Sequence, residues 1–374
     1  MPSNFVECFG TLEDKRVQGR STYPLLEILF LSIGAILSGA EGWESIEDFG
    51  VAKLNWLRNY LPYEQGIPRH DTIARVIARI CPKALRNCFI SWVKSVTELT
   101  DGEVIAIDGK QARRSYDKRS RRSALHMVSA WACANGVVLG QQKTADKSNE
   151  ITAIPQLLEI LALKGCIVTI DAMGCQKAIA EKIVNADADY MLALKGNQGT
   201  LHDAIKDFFQ TALDNDFKNI AHQQHQEVDG GHGRIEQRTC YTVSVPDYLK
   251  PLTKPWKKLS TLVCLQSIRQ VGDKTQTEAR YYLSSLHNDA KRCSSVIRQH
   301  WAVENSLHWV LDVSFKEDDS RIRRGEAANN FTIMRHLSLN LLKKENSTMT
   351  IPRKRRKANY YDDYRSELIK NLGF

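Results

Sequence analysis

The stretch CIVTIDAMGCQKAIAEKIV, residues 166–184, decides the fold class of this chain. The β-branched run 167–170 predicts a short strand buried on both faces, and this strand ends directly in Asp171. A turn and a helical pattern follow, which is the strand–turn–helix order of an α/β protein. Two interpretations of Asp171 stay open. It is a turn-forming residue that caps the next helix, or it is a functional carboxylate at the carboxyl end of a sheet strand.

A second acid follows a second predicted strand. Residues 104–107 are apolar and end in Asp108. The segment 103–195 then has the order strand, strand, strand, helix, strand, helix, strand, with Asn135-Gly136 as a hairpin signal. This order predicts a mixed sheet with helices on its faces. If the two strands that end in acids are parallel neighbours, Asp108 and Asp171 lie at the same edge of the sheet.

The hydrophobic patterns divide the chain into consecutive segments. We expect an all-helical N-terminal domain, which is either a DNA-reading module or a packing and dimerisation module. A β-rich insertion interrupts the α/β core, and a helical segment completes that core before a basic tail. The predicted bounds are 1–100 for the helical domain, 101–195 for the first part of the core, 196–288 for the insertion, 289–345 for the helical completion and 346–374 for the tail.

The composition favours a polyanionic partner. Lys and Arg number 52 and Asp and Glu number 43, giving a net charge of +9, and nucleic acid is the first candidate for such a chain. The nine cysteines have no CxxC spacing, which argues against a disulfide framework or a zinc cluster. The apolar run 28–40 is too short to span a bilayer. We therefore expect a cytoplasmic protein with no membrane partner.

Paired carboxylates indicate a site for hard divalent cations such as Mg²⁺. Two ions about 3.5–4 Å apart can activate the attacking oxygen and stabilise the leaving oxygen in phosphoryl transfer. Such a pair of ions usually needs a third acidic residue as a ligand. Glu304 lies in the middle of a largely apolar helix, 294–315, although an ordinary exposed acid is the alternative. His300 and His308 cannot both ligate one zinc ion, because they stand about 12 Å apart along a helix axis. The same spacing means that only one of Glu304 and Asp312 can join a single cluster.

Eight motifs of this chain resemble those of the DDE transposases of bacterial insertion sequences, specifically the group of H-repeat-associated proteins. They follow one another in order over nearly the whole chain: SGAEGWESIEDFG, GIPRHDTIARV, VIAIDGK, KSNEITAIPQLL, IVTIDAMGCQKAIA, YMLALKGNQGTLH, GHGRIEQR and HWAVENSLHWVLDVSFKED.

The resemblance implies a ribonuclease-H-like core with a β-rich insertion ahead of the helix that carries the third acid. It implies that Asp108, Asp171 and Glu304 are the first, second and third acids and hold two Mg²⁺ ions, with Mn²⁺ as a substitute. The implied activity is hydrolysis at transposon ends followed by strand transfer of the 3′-hydroxyl into target DNA. The implied partners are double-stranded DNA, as transposon ends and as target, and a second copy of the chain in a homodimer. The implied location is the bacterial cytoplasm, at the nucleoid.

The helix of the third acid departs from the pattern of better-known relatives. Ile297, His300 and Leu311 stand where those relatives carry Tyr, Arg and Lys. The departure concerns how the phosphates of the transposon ends are held, and it leaves the three acids untouched.

Several basic residues are candidates for DNA contacts. Alternatives stay open, because the basic loop after Asp108 could be solvated surface and the insertion motif could be turn chemistry. The candidates are Lys110, Arg113, Arg114, Lys118, Arg119, Arg121 and Arg122 in the loop, His232 and Arg234 in the insertion, and Arg298 and His300 on the helix of the third acid.

Two rival functions stay open at this point. The first is a catalytically silent, sequence-specific DNA-binding remnant or regulator of an insertion element. The second is a nuclease that hydrolyses DNA without strand transfer.

Overall fold

A computed structural model describes residues 5–17, 19, 21–116, 123–145, 150–231 and 234–374. The chain divides into two compact units, which we call the helical unit and the sheet unit. The helical unit consists of Met1–Glu98, Gly109–Ser148 and Glu304–Phe374, and the sheet unit of Leu99–Asp108 and Asn149–Val303. In the part of the chain that the structure describes, no helix is long and apolar enough to cross a bilayer.

The strands begin immediately after residue 103, as the sequence pattern predicts. They are β1 (Val104–Gln111), β2 (His126–Ala132), β3 (Val137–Lys143), β4 (Ile167–Ile170), β5 (Asp189–Leu194), β6 (His222–Gly231), β7 (Arg234–Ser244), β8 (Thr261–Val271) and β9 (Lys274–Ser284).

The helices occupy both ends of the chain and the crossovers between strands. They are α1 (Phe5–Phe9), α2 (Leu25–Leu37), α3 (Trp43–Ala52), α4 (Leu54–Leu57), α5 (His70–Ile77), α6 (Pro82–Val96), α7 (Glu150–Ile160), α8 (Lys177–Asn185), α9 (Gly199–Asp214), α10 (Lys250–Thr253), α11 (Ala290–Val303), α12 (Trp309–Phe315), α13 (Ala327–Lys344), α14 (Ile351–Tyr360) and α15 (Asp362–Ile369).

The sheet unit is built on a mixed sheet in the order β1-β4-β5-β9-β8-β7-β6. Strands β1, β4 and β5 are parallel, with α7 and α8 in the crossovers between them. Parallel neighbours need such crossover connections, and the apolar run 167–170 is buried throughout, as strands covered on both faces are. The predicted fold class, a mixed α/β core with a β-rich insertion and helices before it, is confirmed.

The β-rich insertion extends the core sheet. Strand β9 pairs antiparallel with β5, with Leu192 opposite Leu283, and β8, β7 and β6 follow in antiparallel order. Helix α9 precedes these strands, although the sequence pattern of the insertion predicts strands alone. The insertion therefore contributes to the same sheet as the strands that carry the aspartates.

The helical unit packs around two helices that are buried along most of their length, α2 and α13. A helix that is buried all round belongs in a core. The β2–β3 hairpin turns at Gly136, which has a φ of 65°, and the side chain of Asn340 on α13 exchanges hydrogen bonds with both backbone groups of Val138 at 2.8 Å. The last three residues of β1 belong to this unit.

The basic tail is folded. Its residues form α14 and α15, and the side chain of Arg355 is buried where it donates a hydrogen bond to the carbonyl of Ile36 at 2.9 Å. By contacts, residues 1–98 belong to the same compact unit as residues 304–374. The finer division of the chain into five segments stays a prediction.

Candidate active site

Two of the predicted acids stand at the same edge of the sheet. Strands β1 and β4 are parallel, and their last paired residues are Ile107 and Ile170. Asp108 and Asp171 are the next residues of each chain segment, and both side chains are half-buried. Because the register is parallel and in step, the two carboxylates occupy equivalent positions just beyond the β1–β4 ladder, at the carboxyl end of β4, where α/β sheets bind ligands. Strand β1 itself continues through Asp108 to Gln111, three residues beyond the end that the sequence pattern predicts.

Asp171 also caps the turn that follows it. The carboxylate oxygen Oδ1 accepts hydrogen bonds from the backbone N–H of Met173 at 3.1 Å and of Gly174 at 3.3 Å, at the start of a 3₁₀ turn, Ala172–Gly174. A Cβ on Gly174 would lie 2.2 Å from Cγ2 of Ile170, so this turn packs directly on the strand. Asp171 thus caps this turn rather than helix α8, whose N-cap is Gln176, and both bonds use the same oxygen of the carboxylate.

The surroundings of Asp171 disfavour its negative charge. Burial raises the pKa of this carboxyl, and the nearby carboxylate of Glu150 raises it further, whereas the two backbone hydrogen bonds and Lys195 lower it. Glu150 is the first residue of α7 and is buried. Sequence reasoning missed it, although it lies within the KSNEITAIPQLL motif. A cation placed beside Asp171 would favour its ionised form.

The third predicted acid begins an irregular turn. Glu304 is exposed and is the first residue of a π-helical turn, Glu304–His308, between α11 and α12. The regular helix predicted across this region is therefore interrupted. Such turns widen a helix and are frequent at functional sites. The widened turn also breaks the even spacing of His300, Glu304 and His308 that a regular helix would give.

Glu304 belongs to the helical unit, whereas Asp108 and Asp171 belong to the sheet unit. Among the described residues, no group of three or more His, Cys, Asp and Glu side chains is arranged so that it could hold a metal ion. The structure thus brings two of the three predicted acids to one sheet edge, and the complete triad stays a prediction.

His300 packs on the sheet that carries Asp171. Its Nδ1 lies 3.0 Å from Oγ1 of Thr169, a buried residue of β4. Thr169 and Asp171 are two positions apart, which places them on the same side of an extended chain. Sequence reasoning did not predict this contact, because the two partners are 131 positions apart.

Arg298 and Arg234 form ion pairs within the sheet unit. The guanidinium of Arg298 lies 2.7 Å from Asp229 of β6, and Arg238 reaches the same carboxylate at 2.8 Å. These two guanidinium groups lower the pKa of Asp229. Arg234 lies 3.7 Å from Glu236. Arg298 and Arg234 stay half-exposed, so both remain candidates for contacts with phosphates.

The basic residues after Asp108 face a group of acids in the helical unit. Lys110 forms ion pairs there, and its side chain is only 11% exposed. Arg113 lies 3.2 Å from Asp318 with 80% of its side chain exposed, and Arg114 lies 3.4 Å from Asp319. Arg113 and Arg114 are therefore accessible, whereas the ammonium of Lys110 is enclosed. The remaining predicted DNA contacts lie outside the described residues: Lys118, Arg119, Arg121, Arg122 and His232.

Comparison with known proteins identifies the family. Residues 97–341 match the family model described as Transposase DDE domain, and residues 6–93 match the one described as DDE_Tnp_1-associated. The chain is 45% identical to the "Putative transposase YncI" of Escherichia coli O157:H7, over 99% of this chain and 96% of that protein. It is 43% identical to the "H repeat-associated putative transposase YhhI" of Escherichia coli K12, over 98% of each chain.

Among solved structures, the chain is similar to a piggyBac transposase in a synaptic complex with hairpin DNA. The identity is 10%, the TM-score is 0.40, and the match covers 96% of this chain and 75% of that one. The family-model match includes every strand of the sheet, both aspartates and Glu304. The chain therefore belongs to the family of DDE transposases, in the group of H-repeat-associated transposases.

Proposed function

We propose that this chain is a catalytically active transposase that cleaves DNA at the ends of an insertion element and joins the freed 3′-hydroxyl ends to target DNA. Membership of the DDE transposase family supports a nuclease or transposase activity, a DNA partner and dependence on a divalent metal. The parallel register that places Asp108 beside Asp171 is the single observation that carries the proposal for this chain. We propose Asp108, Asp171 and Glu304 as its catalytic acids.

The donor set fits a hard divalent cation. Carboxylate oxygens are the ligands that Mg²⁺ prefers, with Mn²⁺ as a close substitute. The raised pKa of Asp171, which results from burial and from the charge of Glu150, fits a site whose negative charge is balanced by a bound cation. Two such ions, when bound, would activate the attacking oxygen and stabilise the leaving oxygen of the phosphodiester.

The protein residues have separate tasks in this proposal. Asp108 and Asp171 would hold the metals at the sheet edge, and the 3₁₀ turn fixes the orientation of Asp171 through Oδ1. Glu304 would complete the set of ligands. Arg113 and Arg114 are exposed, and they contact phosphates of the DNA, as Arg298 does from the sheet unit. The Thr169 hydroxyl holds the imidazole of His300 against β4.

The transposition reaction joins two element ends to one target. We therefore propose that the active complex is a homodimer that supplies one set of acids for each end, and that it acts on double-stranded DNA in the bacterial cytoplasm.

One experiment separates this function from its rivals. Purified protein is incubated with Mg²⁺, a target plasmid and labelled duplexes taken from the DNA on either side of the coding sequence. Joined product supports the proposal. Cleaved ends without joining would replace it with a simple nuclease, and bound but intact ends would replace it with a silent DNA-binding regulator.

A further inference from the structure

Lys110 is enclosed by carboxylates rather than directed at solvent. It lies on β1, two residues after Asp108. Its Nζ is 2.6 Å from Asp312 Oδ1, 3.2 Å from Glu317 Oε2 and 3.3 Å from Asp318 Oδ1. An ammonium group has three N–H donors, and here the carboxylates of three different residues lie within 3.3 Å of it.

The partners of Lys110 come from one short segment after the π-helical turn. Asp312 is on α12, which ends at Phe315, and its C-cap residue, Lys316, has a left-handed φ of 51°. The left-handed residue turns the chain back, as C-terminal helix caps do, and the backbone N–H of Glu317 then donates to the carbonyl of Leu311 at 3.0 Å. This turn directs Glu317 and Asp318 toward the lysine.

The cluster is buried and further anchored. Only 3% of the Glu317 side chain is exposed. The hydroxyl of Thr332 donates to Glu317 Oε1 at 3.0 Å, and Arg335 lies 3.6 Å from the same oxygen. Thr332 and Arg335 both belong to α13. Through Glu317, the ammonium of Lys110 therefore connects three elements of the helical unit, which are the end of β1, the segment that begins with α12, and α13.

From this geometry we propose that Lys110 is a positioning residue of the active site. Its ion pairs with Asp312, Glu317 and Asp318 fix the end of β1, and with it the backbone beside Asp108. The same ion pairs fix the helical segment that begins at Glu304. The proposal rests on the function proposed above.

A direct contact between Lys110 and DNA fits the structure less well. Three carboxylate oxygens surround the ammonium, and a phosphate at that point would meet their negative charges. The exposed Arg113 and Arg114 are better placed for phosphates, since 80% and 52% of their side chains are accessible. Lys110 thus acts through the protein and not through the substrate.

The substitution Lys110→Met removes the ammonium and keeps most of the side-chain length. We expect it to weaken Mn²⁺ binding by the full-length protein by about 10- to 100-fold, as loss of a residue that supports metal ligands does. Calorimetric titration with Mn²⁺ measures this without reference to activity. Lys110→Arg, which keeps the charge, should recover most of the affinity. An unchanged Mn²⁺ affinity in folded Lys110→Met would overturn the proposal.

Lys354→Met is the matched control. Lys354 is also a buried lysine of the helical unit, 2.8 Å from Glu345 and bonded to the carbonyl of Leu342 at 3.0 Å. This variant loses a comparable ion pair, so it should lower the melting temperature while Mn²⁺ affinity stays at the wild-type value. Equal losses of affinity in both variants would reduce Lys110 to a general structural role and overturn the proposal.

A replacement variant and the behaviour of the wild-type protein complete the test. If Lys110→Met does not fold, the double variant Lys110→Met/Asp312→Asn removes charges of both signs, and the same loss of Mn²⁺ affinity is expected. If wild type binds Mn²⁺ but joins no DNA, the proposed function fails while the positioning role is still tested by affinity. A wild-type protein that binds no Mn²⁺ overturns the positioning role itself.

Discussion

Asp108 and Asp171 each follow one member of the pair Ile107–Ile170, the last pair of the parallel ladder between β1 and β4. The two carboxylates are therefore in register at one sheet edge. A slip of one residue in either strand would turn one of them to the opposite face of the sheet. The buried run of β4 and the crossover through α7 fix this register, so the placement of the two acids is a consequence of the core packing.

The two roles of Asp171 can be separated by substitution. Asp171→Ala removes the cap and should destabilise the metal-free protein by about 0.5–2 kcal/mol relative to Asp171→Asn, because Asn caps as well as Asp does. Asp171→Asn also removes the repulsion from Glu150. Its metal-free melting temperature should therefore equal or exceed that of wild type. Thermal unfolding with a chelator measures both differences.

Added Mg²⁺ completes this comparison. The melting temperature of wild type should rise, and the rise should shrink in Asp171→Asn, since a neutral amide is a poor substitute for a charged Mg²⁺ ligand. An equal rise in both proteins would leave Asp171 with only its structural role as the cap of the 3₁₀ turn.

The buried His336 makes the helical unit sensitive to acid. Burial lowers the pKa of His336 from 6.5 to about 4 in the folded protein. As the pH falls from 6.5 to 4, the unfolded chain takes up a proton that the folded protein does not, so the folded state loses stability. The loss attributable to this residue is about 3 kcal/mol over that window. Denaturant unfolding as a function of pH should show a shallower decline in His336→Gln than in wild type.

The exposed His287 provides the control for that profile. The free energy of unfolding of His287→Gln should fall with decreasing pH as steeply as that of wild type. Superimposable profiles for wild type and His336→Gln would contradict the prediction.

The basic loop is tested by the salt dependence of binding. Neutralising Arg119, Arg121 and Arg122 together should weaken binding to any DNA sequence, because contacts with phosphates do not depend on the bases. Each lost phosphate contact should also flatten the plot of log affinity against log salt concentration by roughly 0.9. Fluorescence anisotropy over a series of salt concentrations gives the slope.

A second triple variant controls for net charge. Lys206, Lys218 and Lys254 are exposed residues of the sheet unit, and their neutralisation should leave the slope unchanged. If both triple variants had the wild-type slope, the loop would not contact DNA phosphates and would be ordinary solvated surface.

Asp229 competes with DNA for Arg298 in this account. Asp229→Asn releases the guanidinium of Arg298, which lies 2.7 Å from the carboxylate. It should strengthen DNA binding by no more than about fivefold, because exposed ion pairs are weak. Arg298→Gln should weaken binding. Asp247→Asn removes an exposed acid that pairs with Lys250 and serves as the charge-matched control. If Asp229→Asn bound DNA no more tightly than Asp247→Asn, the proposal that Arg298 contacts DNA would be wrong.

The placement of Asp108 and Asp171 could be predicted from the sequence because it depends on local patterns. Each acid follows a short apolar run, and a helix between the strands implies parallel pairing. The hairpin at Gly136 and the strands of the insertion have equally local signals. The family motifs add Glu304, which has no local signal of its own beyond an apolar helix.

The surroundings of Lys110 could not be predicted in the same way. Its partner Asp318 is 208 positions away, and no periodicity links the two. The π-helical turn at Glu304 contains neither Pro nor Gly, so the sequence shows no break in the helix. The pairing of β9 with β5 depends on which sheet edge stays open, and that is a property of the assembled sheet rather than of either strand.

The most direct test of the central claim compares Asp108→Asn, Asp171→Asn and Glu304→Gln in one cleavage assay on labelled element ends with Mg²⁺. Loss of a metal ligand removes several kcal/mol of transition-state stabilisation, so each variant should cleave about 10³-fold more slowly or worse. End binding, measured on the same preparations, should stay near the wild-type value, and the exposed-acid control Asp203→Asn should cleave like wild type. Substantial cleavage by any one of the three variants would contradict the assignment of that residue to the catalytic triad.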